Sequence, residues 1–428
     1  MTGSARIAAV DLNGQLRGKR VPQAALGKSV RMPLSALNVD IFGYDIDDSP
    51  LVFATGDADG ALRAVARDPV PLPWLGGAPL LQLSSMYLDS GAPFEGDPRH
   101  ALARVLDRYD ARGWVPHCAV ELEFYLVERD GALAAPVNPR SGRRLAAPQV
   151  LGLRQLDGFD AYFSALEAGA AAMGIEIGSI TSESGLGQFE VTLGHAPAMT
   201  AAEDALLMKE LIKGLAQSHG FSATFLAKPF AEDAGSGLHL HASVLDGRGV
   251  NVFDDGGAAG TELLRAAIAG CLAAMGPASL IFAPHSSSYA RFVEHAHAPT
   301  GATWGYDNRT VALRVPSGAP AARRFEHRVA GGDTCPYLLF AAILGAAITG
   351  IEDGADPGAP ITGSAYGQTP PALAPDMGAA IARLGDPMLA RIFAPELIDN
   401  LRRTKLQDLA KCQSLSDHEA TLALLEVV

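Results

Sequence analysis

The sequence predicts an α+β protein, with a small strand-rich N-terminal domain over residues 1–95 and a larger mixed domain over 96–428. Three observations predict it. Short apolar runs at 7–10, 51–54 and 80–83 are broken by Gly, Pro and Asp, which is how brief strands read. Helical periodicity starts at Asp97 and again at Thr200. Period-two alternation marks strands at 115–127, 188–193 and 238–244.

The domain boundary is expected at 91–97, where Gly91, Pro93, Gly96 and Pro98 cluster. A helix follows. Asp97 can cap it, Pro98 suits its first turn, and Leu102, Val105, Leu106 and Tyr109 form its apolar stripe. Gly113 can end it in a left-handed conformation. The second helix is expected to open at Thr200 with a capping box to Glu203. It then runs through Leu207, Met208, Leu211 and Leu215 to Gly220. The longest apolar stretch, 337–351, is too short to span a bilayer and reads as a helix buried on all sides.

The chain has 428 residues and is 48% hydrophobic, ample for a large core. Its net charge of −13 and pI near 5.3 argue against nucleic-acid or anionic-membrane partners. Cys118, Cys271, Cys335 and Cys412 form no CxxC and read as reduced, buried thiols of a cytoplasmic protein. No basic head with an apolar core opens the chain, so no signal peptide is expected.

The strands carry the chemical signal. Glu121 and Glu123 share one face of their strand, opposite Val120, Leu122, Phe124 and Leu126. Two carboxylates side by side repel unless a cation lies between them; a solvated outer face is the alternative. Glu183 and Glu190 add two more around a Gly-containing turn. His239, His241 and Ser243 share a face of the third strand, and Glu326 lies in an arginine-rich segment. Five carboxylates and a histidine suit Mg²⁺ or Mn²⁺ better than zinc, since no cysteine joins them. Arg291, Arg309, Arg314, Arg324 and Arg328 form a cationic group fit for phosphate and carboxylate. Divalent metals beside arginines are what phosphoryl transfer needs. Neither GxxxxGK nor GxGxxG occurs, which excludes a P-loop and a Rossmann turn.

These blocks, in this order, resemble the glutamine synthetase family over nearly the whole chain. They are Glu121-x-Glu123; Glu183 with Gly187-Gln188-Phe189-Glu190; Gly235-Ser-Gly-Leu-His239-x-His241-x-Ser243; Arg291 and Arg309 through Arg314; and Arg324-x-Glu326-x-Arg328. The resemblance implies a β-grasp N-terminal domain and a catalytic domain with a curved antiparallel sheet flanked by helices. It implies one metal on Glu123, Glu183 and Glu190 and another on Glu121, His239 and Glu326. It places glutamate on Gly235, Arg291 and Arg328, with Arg309 near the reacting groups. It places ATP on His241, Ser243, Arg309, Arg314 and Arg324. A homo-oligomer of two stacked hexameric rings is implied as well.

The departures bear on the acceptor. Ammonia-using members hold ammonium with two acidic groups. The stretch matching the first, residues 31–37, has no aspartate, although Asp40 or Asp45 is an alternative. The flap position matching the second is His297, six residues after Arg291. The resemblance is therefore to the γ-glutamyl-amine ligases: ATP-dependent enzymes joining glutamate to an organic primary amine through a γ-glutamyl phosphate. His297, or His295, is expected to orient or deprotonate the amine. Asp45, Asp47 and Asp48 are either a site for the far ammonium of a diamine or a solvated loop. Position 234, where the family has asparagine, is Ala234. The competing readings are a glutamine synthetase using ammonia and a catalytically silent structural or regulatory relative.

Overall fold

Asp11 shows how the first strands are joined. Its buried carboxylate accepts from the backbone N–H of Asn13 and Gln15, both at 2.9 Å, and from Arg17 Nε at 2.7 Å. That turn links Ser4–Val10 (β1) to Leu16–Pro22 (β2). The computed structural model describes residues 3–128, 133–293, 298–299, 301–366, 368, 372–425 and 427–428.

Val30–Pro33 (β3), Asp59–Ala64 (β4), Val70–Pro71 (β5) and Leu80–Tyr87 (β6) complete a six-stranded sheet. Its order is β2-β1-β6-β4-β3, with β5 on β6 and a parallel pairing of β1 with β6. One face closes a small core of Ile7, Ala9, Met32, Leu62 and Met86, while Ala8, Val10, Leu81 and Leu83 join the main core. The apolar run at 51–54, expected as a strand, forms instead the short helix Pro50–Phe53 (α1). Pro50 sits in its first turn and only Leu51 is buried, so the run has no second buried residue to pin it to a sheet.

The helix Pro98–Asp110 (α2) begins as expected, with Asp97 accepting from Arg99 N–H at 2.8 Å and Pro98 at its first position. Gly113 then takes φ +69°. The long strand Trp114–Glu128 (β7) follows, then the small hairpin of Val137–Asn138 (β8) and Arg143–Arg144 (β9), and the helices Leu153–Gly158 (α3) and Asp160–Ala172 (α4). Ile177–Ser182 (β10), Gln188–Leu193 (β11), Ala196–Pro197 (β12), Phe221–Thr224 (β13), Leu238–Asp246 (β14), Trp304–Tyr306 (β15), Leu313–Val315 (β16) and Phe325–His327 (β17) join β7 in a nine-stranded sheet. Its main path is β10-β11-β7-β14-β17-β16-β15. The sheet is mixed rather than wholly antiparallel, because β15 and β16 run parallel.

Ala198–Ser218 (α5), Glu262–Ala274 (α6), Ser279–Phe282 (α7) and Pro336–Asp353 (α8) carry much of the remaining core. The predicted capping box at Thr200 does not form. The helix starts two residues earlier, after Pro197 and without a side-chain cap. Glu203 is turned inward and accepts two bonds from Arg99, at 3.0 and 2.9 Å. A buried salt link outcompetes a cap that the proline-led start makes unnecessary. The apolar stretch at 337–351 lies within α8 and 89% of its most apolar window is buried, as expected. Gly270 and Gly350 let α6 and α8 cross closely: a Cβ on Gly350 would lie 2.1 Å from the Ala266 carbonyl oxygen. All four cysteines are buried and free of disulfides.

Candidate active site

The register of four adjacent strands assembles the acidic cluster. In β11 and β7 Glu190 lies opposite Glu123; in β14 and β7 His239 lies opposite Glu121; in β14 and β17 His241 lies opposite Glu326. Alternation sends these side chains to one face and Val120, Leu122, Phe124 and Val191 into the core. Donor atoms of Glu121, His239 and Glu326 lie within 4.8 Å of one another, as do those of Glu123, Glu190 and His239. His239 thus completes both triads, whereas the sequence reading gave it to one. Glu183 falls outside these two sets, although Glu123 and Glu121 still act on its charge.

Hydrogen bonds fix the two histidines. His239 Nδ1 lies 2.8 Å from Glu121 and donates to its carboxylate. Arg324 Nε donates to His241 Nδ1 at 3.3 Å, so the Nε2–H of His241 donates to Glu121 at 2.9 Å. Burial opposes the charge of Glu121, but these two imidazoles prevail and hold its carboxyl far below the carboxylate range. Glu326 is 1% exposed and accepts from Arg314 at 3.0 Å and from Arg328. Its carboxyl is also lowered, against burial, chiefly by Arg328.

The other side of the cluster differs. Glu190 accepts from Thr192 Oγ1 at 3.2 Å, and its carboxyl is pushed up to about 8 by burial, then by Glu121, Glu123 and Glu183. Glu183 is raised by burial and by Glu123, and accepts from Thr181 Oγ1 at 3.1 Å. Glu123 accepts from Gly237 N–H at 2.6 Å. An excess of carboxylate with hard oxygen donors is the chemistry a divalent cation satisfies, so the residues fit a metal.

Arg291 is buried, donates to the Val329 carbonyl at 2.6 Å, and reaches past two glycines. A Cβ on Gly235 would lie 2.8 Å from Arg291 Cγ, and one on Gly237 would lie 2.7 Å from its Nη2. These positions are glycine because the arginine occupies the Cβ space. Arg314 links Glu326 to Asp307, the latter at 2.8 Å. Ser243 lies two residues beyond His241 on β14, with its hydroxyl 3.5 Å from the His117 carbonyl. Arg309 is exposed and lines a cavity of about 620 Å³ with Thr310, Ile361 and Ser364.

His295 and His297 lie outside the described residues. Asp40 is not free to hold an amine: its buried carboxylate accepts from Phe42 and Tyr44 N–H, from the Gln407 amide at 2.8 Å, and from Lys411. Asp45, Asp47 and Asp48 are exposed, with Asp48 paired to Arg403. Residues 31–37 form the end of β3 and a short 3-10 turn.

Sequence reasoning assigned no role to Gln188, which is buried and accepts from Gly185 N–H at 2.9 Å while donating to the Gly235 carbonyl at 3.0 Å. It ties the Glu183 turn to the glycine segment of β14. A lone amide at a buried strand position was its signal. Tyr125 was also missed; its hydroxyl donates to the Ala234 carbonyl at 2.6 Å.

Residues 95–422 match the glutamine synthetase catalytic domain. The chain is 37% identical over 358 residues to gamma-glutamylputrescine synthetase of Escherichia coli, spanning 80% of this chain and 74% of that protein. It is 29% identical to glutamate–isopropylamine ligase of a Pseudomonas species, spanning 99% and 95% of the two chains. A solved GmaS/ADP complex superposes with a TM-score of 0.83 at 28% identity, covering 97% of this chain and 95% of that one. The family match spans most of the chain and takes in every strand of the acidic cluster, so the protein belongs to the glutamine synthetase family.

Proposed function

We propose that this protein is an ATP-dependent ligase joining the γ-carboxylate of L-glutamate to an organic primary amine. The observation that carries this is the acidic face of β11, β7, β14 and β17 with Arg314, Arg324 and Arg328 bonded into it. Relatives named for putrescine and isopropylamine support an amine as acceptor. So does the lack of aspartate in residues 31–37.

A carboxylate does not acylate an amine at neutral pH, because its oxygen is a poor leaving group. Transfer of the γ-phosphoryl group of ATP to glutamate gives an acyl phosphate and ADP. The amine attacks the acyl carbon, loses a proton, and phosphate departs. Gly235, Arg291 and Arg328 hold glutamate; His241, Ser243, Arg309, Arg314 and Arg324 hold ATP, with Arg309 beside the reacting groups. Arginines placed around phosphate and carboxylate stabilise the charge that develops there. Glu123, Glu183 and Glu190 would hold one Mg²⁺ or Mn²⁺ and Glu121, His239 and Glu326 another; bound there, such ions neutralise phosphate oxygens. His297 orients or deprotonates the amine. An unchanged pH–rate profile in His297→Ala would remove that role.

In the same reading residues 1–95 are a β-grasp domain, residues 96–428 the catalytic domain, and the assembly two stacked hexameric rings in the cytoplasm. A phosphate-release assay with glutamate, ATP and a panel of amines tests the function. Saturable turnover with an organic amine is expected. Strong turnover with ammonium alone would replace the proposal by glutamine synthesis, and none with any amine would point to a silent relative.

A further inference from the structure

A buried polar relay behind the site has no part in the chemistry described so far. Arg291 ends the 3-10 turn Ser286–Arg291. His285 and Ser288 close that turn at its start, with the His285 N–H donating to Ser288 Oγ at 3.0 Å. The Ser288 hydroxyl in turn donates to Asp333 at 2.6 Å. Both residues are almost fully buried, and the second carboxylate oxygen of Asp333 has no hydrogen-bond partner among the described residues. Lys209, from α5, brackets Asp333 by donating to the carbonyls of Gly332 at 2.9 Å and Thr334 at 3.4 Å. Its ammonium lies 4.8 Å from the centre of the Phe225 ring.

The loop that carries Asp333 begins at Arg328 and is stitched to the glycine segment. Leu238 N–H donates to the Ala330 carbonyl at 3.0 Å, and Gly332 N–H to the Ser236 carbonyl at 2.9 Å. The Asp333 carboxylate therefore ties the turn ending in Arg291 to the loop starting at Arg328, and the backbone of that loop is bonded in turn to the strand entry holding Gly235 and Gly237. A charge-assisted hydrogen bond in a dry interior is strong and directional.

We propose that the Ser288–Asp333 bond, backed by Lys209, is a positioning device for Arg291, and that it sets affinity for the amino-acid substrate rather than for nucleotide. Ser288 and Asp333 touch no substrate; they act through Arg291. The inference rests on the proposed function, because it takes Arg291 to bind glutamate.

The experiment is steady-state kinetics of Ser288→Ala, with glutamate and ATP varied separately and the fold checked by thermal melting. The KM for glutamate should rise about tenfold, the scale of a lost charge-assisted hydrogen bond. The KM for ATP and kcat should stay within about twofold. Asp333→Asn keeps an acceptor for the Ser288 hydroxyl, so its glutamate KM should lie between those of wild type and Ser288→Ala. It also serves as the test should Ser288→Ala not fold. Equal changes in both KM values, or no change in either, would overturn the inference. Wild-type enzyme without glutamate-dependent turnover would sink the proposed function first and this inference with it. Wild-type turnover with an unmoved glutamate KM in the variants would sink the inference alone.

Discussion

Glu121 and Glu190 stand on neighbouring strands of one sheet, face the same way, and have opposite electrostatics. Glu121 is held ionised by His239 and His241, against its own burial. Glu190 is pushed up to about 8 by burial and by three other glutamates. The contrast extends to their neighbours: Glu326 accepts from Arg314 and Arg328, whereas Glu183 accepts from a threonine hydroxyl and is pushed up by burial and by Glu123. The protein thus supplies its own cations to one half of the cluster and leaves the other half short of positive charge. The first half is preorganised; the second is built to be completed from outside.

Breaking the compensated half should have the largest effect. In Glu326→Gln two arginines lose a buried counter-charge. Removing one partner of a buried pair costs about 3–5 kcal/mol. Turnover should fall by at least about a thousandfold, since positioning and charge stabilisation fail together. Melting curves and the phosphate-release assay check both expectations. The uncompensated half should respond differently. Glu190→Gln removes one of the mutually repelling charges, so the metal-free protein should melt higher, by about 1–2 kcal/mol of added stability. The rise in melting temperature on adding Mg²⁺ or Mn²⁺ should shrink, and turnover should drop about a hundredfold. A metal-free melting point that falls in Glu190→Gln would mean that Glu190 has a compensating partner.

How much of this contrast was legible in the sequence depends on its physical origin. Glu121, Glu123, His239 and His241 were readable because a strand alternates with period two, and that period alone fixes which side chains share a face. Asp97 and Pro98 were readable because a helix start is a local event. The pairing of His239 with Glu121 was legible only through the family resemblance, which put both on one metal; register between strands more than 100 residues apart is set by packing, which periodicity does not report. For the same reason periodicity did not show that His239 lies close to both halves of the cluster. Ser288 and Asp333 look like ordinary loop residues; only burial gives them meaning. The run at 51–54 and the Thr200 box misled because tertiary burial overrides short local signals.

Lys209 tests whether a buried charge stays costly when a counter-charge is near. Burial pushes its ammonium down to about 8, with Asp333 opposing that shift. A lysine whose folded value lies below its unfolded one binds fewer protons folded than unfolded across the interval between them. Stability from this group therefore rises with pH between about 8 and the ordinary lysine value of 10.5. Relative to Lys209→Met, wild type should gain at most about 1.4 kcal/mol per pH unit in that window. Denaturant titrations of both proteins at three pH values measure it. A flat difference would mean that Asp333 fully compensates the lysine.

The smallest expected effect is that of Thr200→Ala, read beside Glu203, a buried carboxylate that, like Glu326, is supplied with cations by the chain itself. Arg99 donates to it twice and Arg67 lies 3.9 Å away. Burial raises its carboxyl, and the charge of Arg99 opposes that rise. Glu203→Gln should cost about 1–3 kcal/mol by weakening a largely buried charge-assisted bond. Thr200→Ala should stay within about 0.5 kcal/mol, because the helix begins at Ala198 and Thr200 caps nothing. A cap would show the reverse: loss of an N-cap hydroxyl costs about 1 kcal/mol, and Glu203 would then be replaceable by glutamine at little cost. Paired chemical denaturation of the two variants separates the cases. If Thr200→Ala proves the more damaging, the helix starts in solution where the sequence alone placed it, and Glu203 does not belong with the compensated carboxylates.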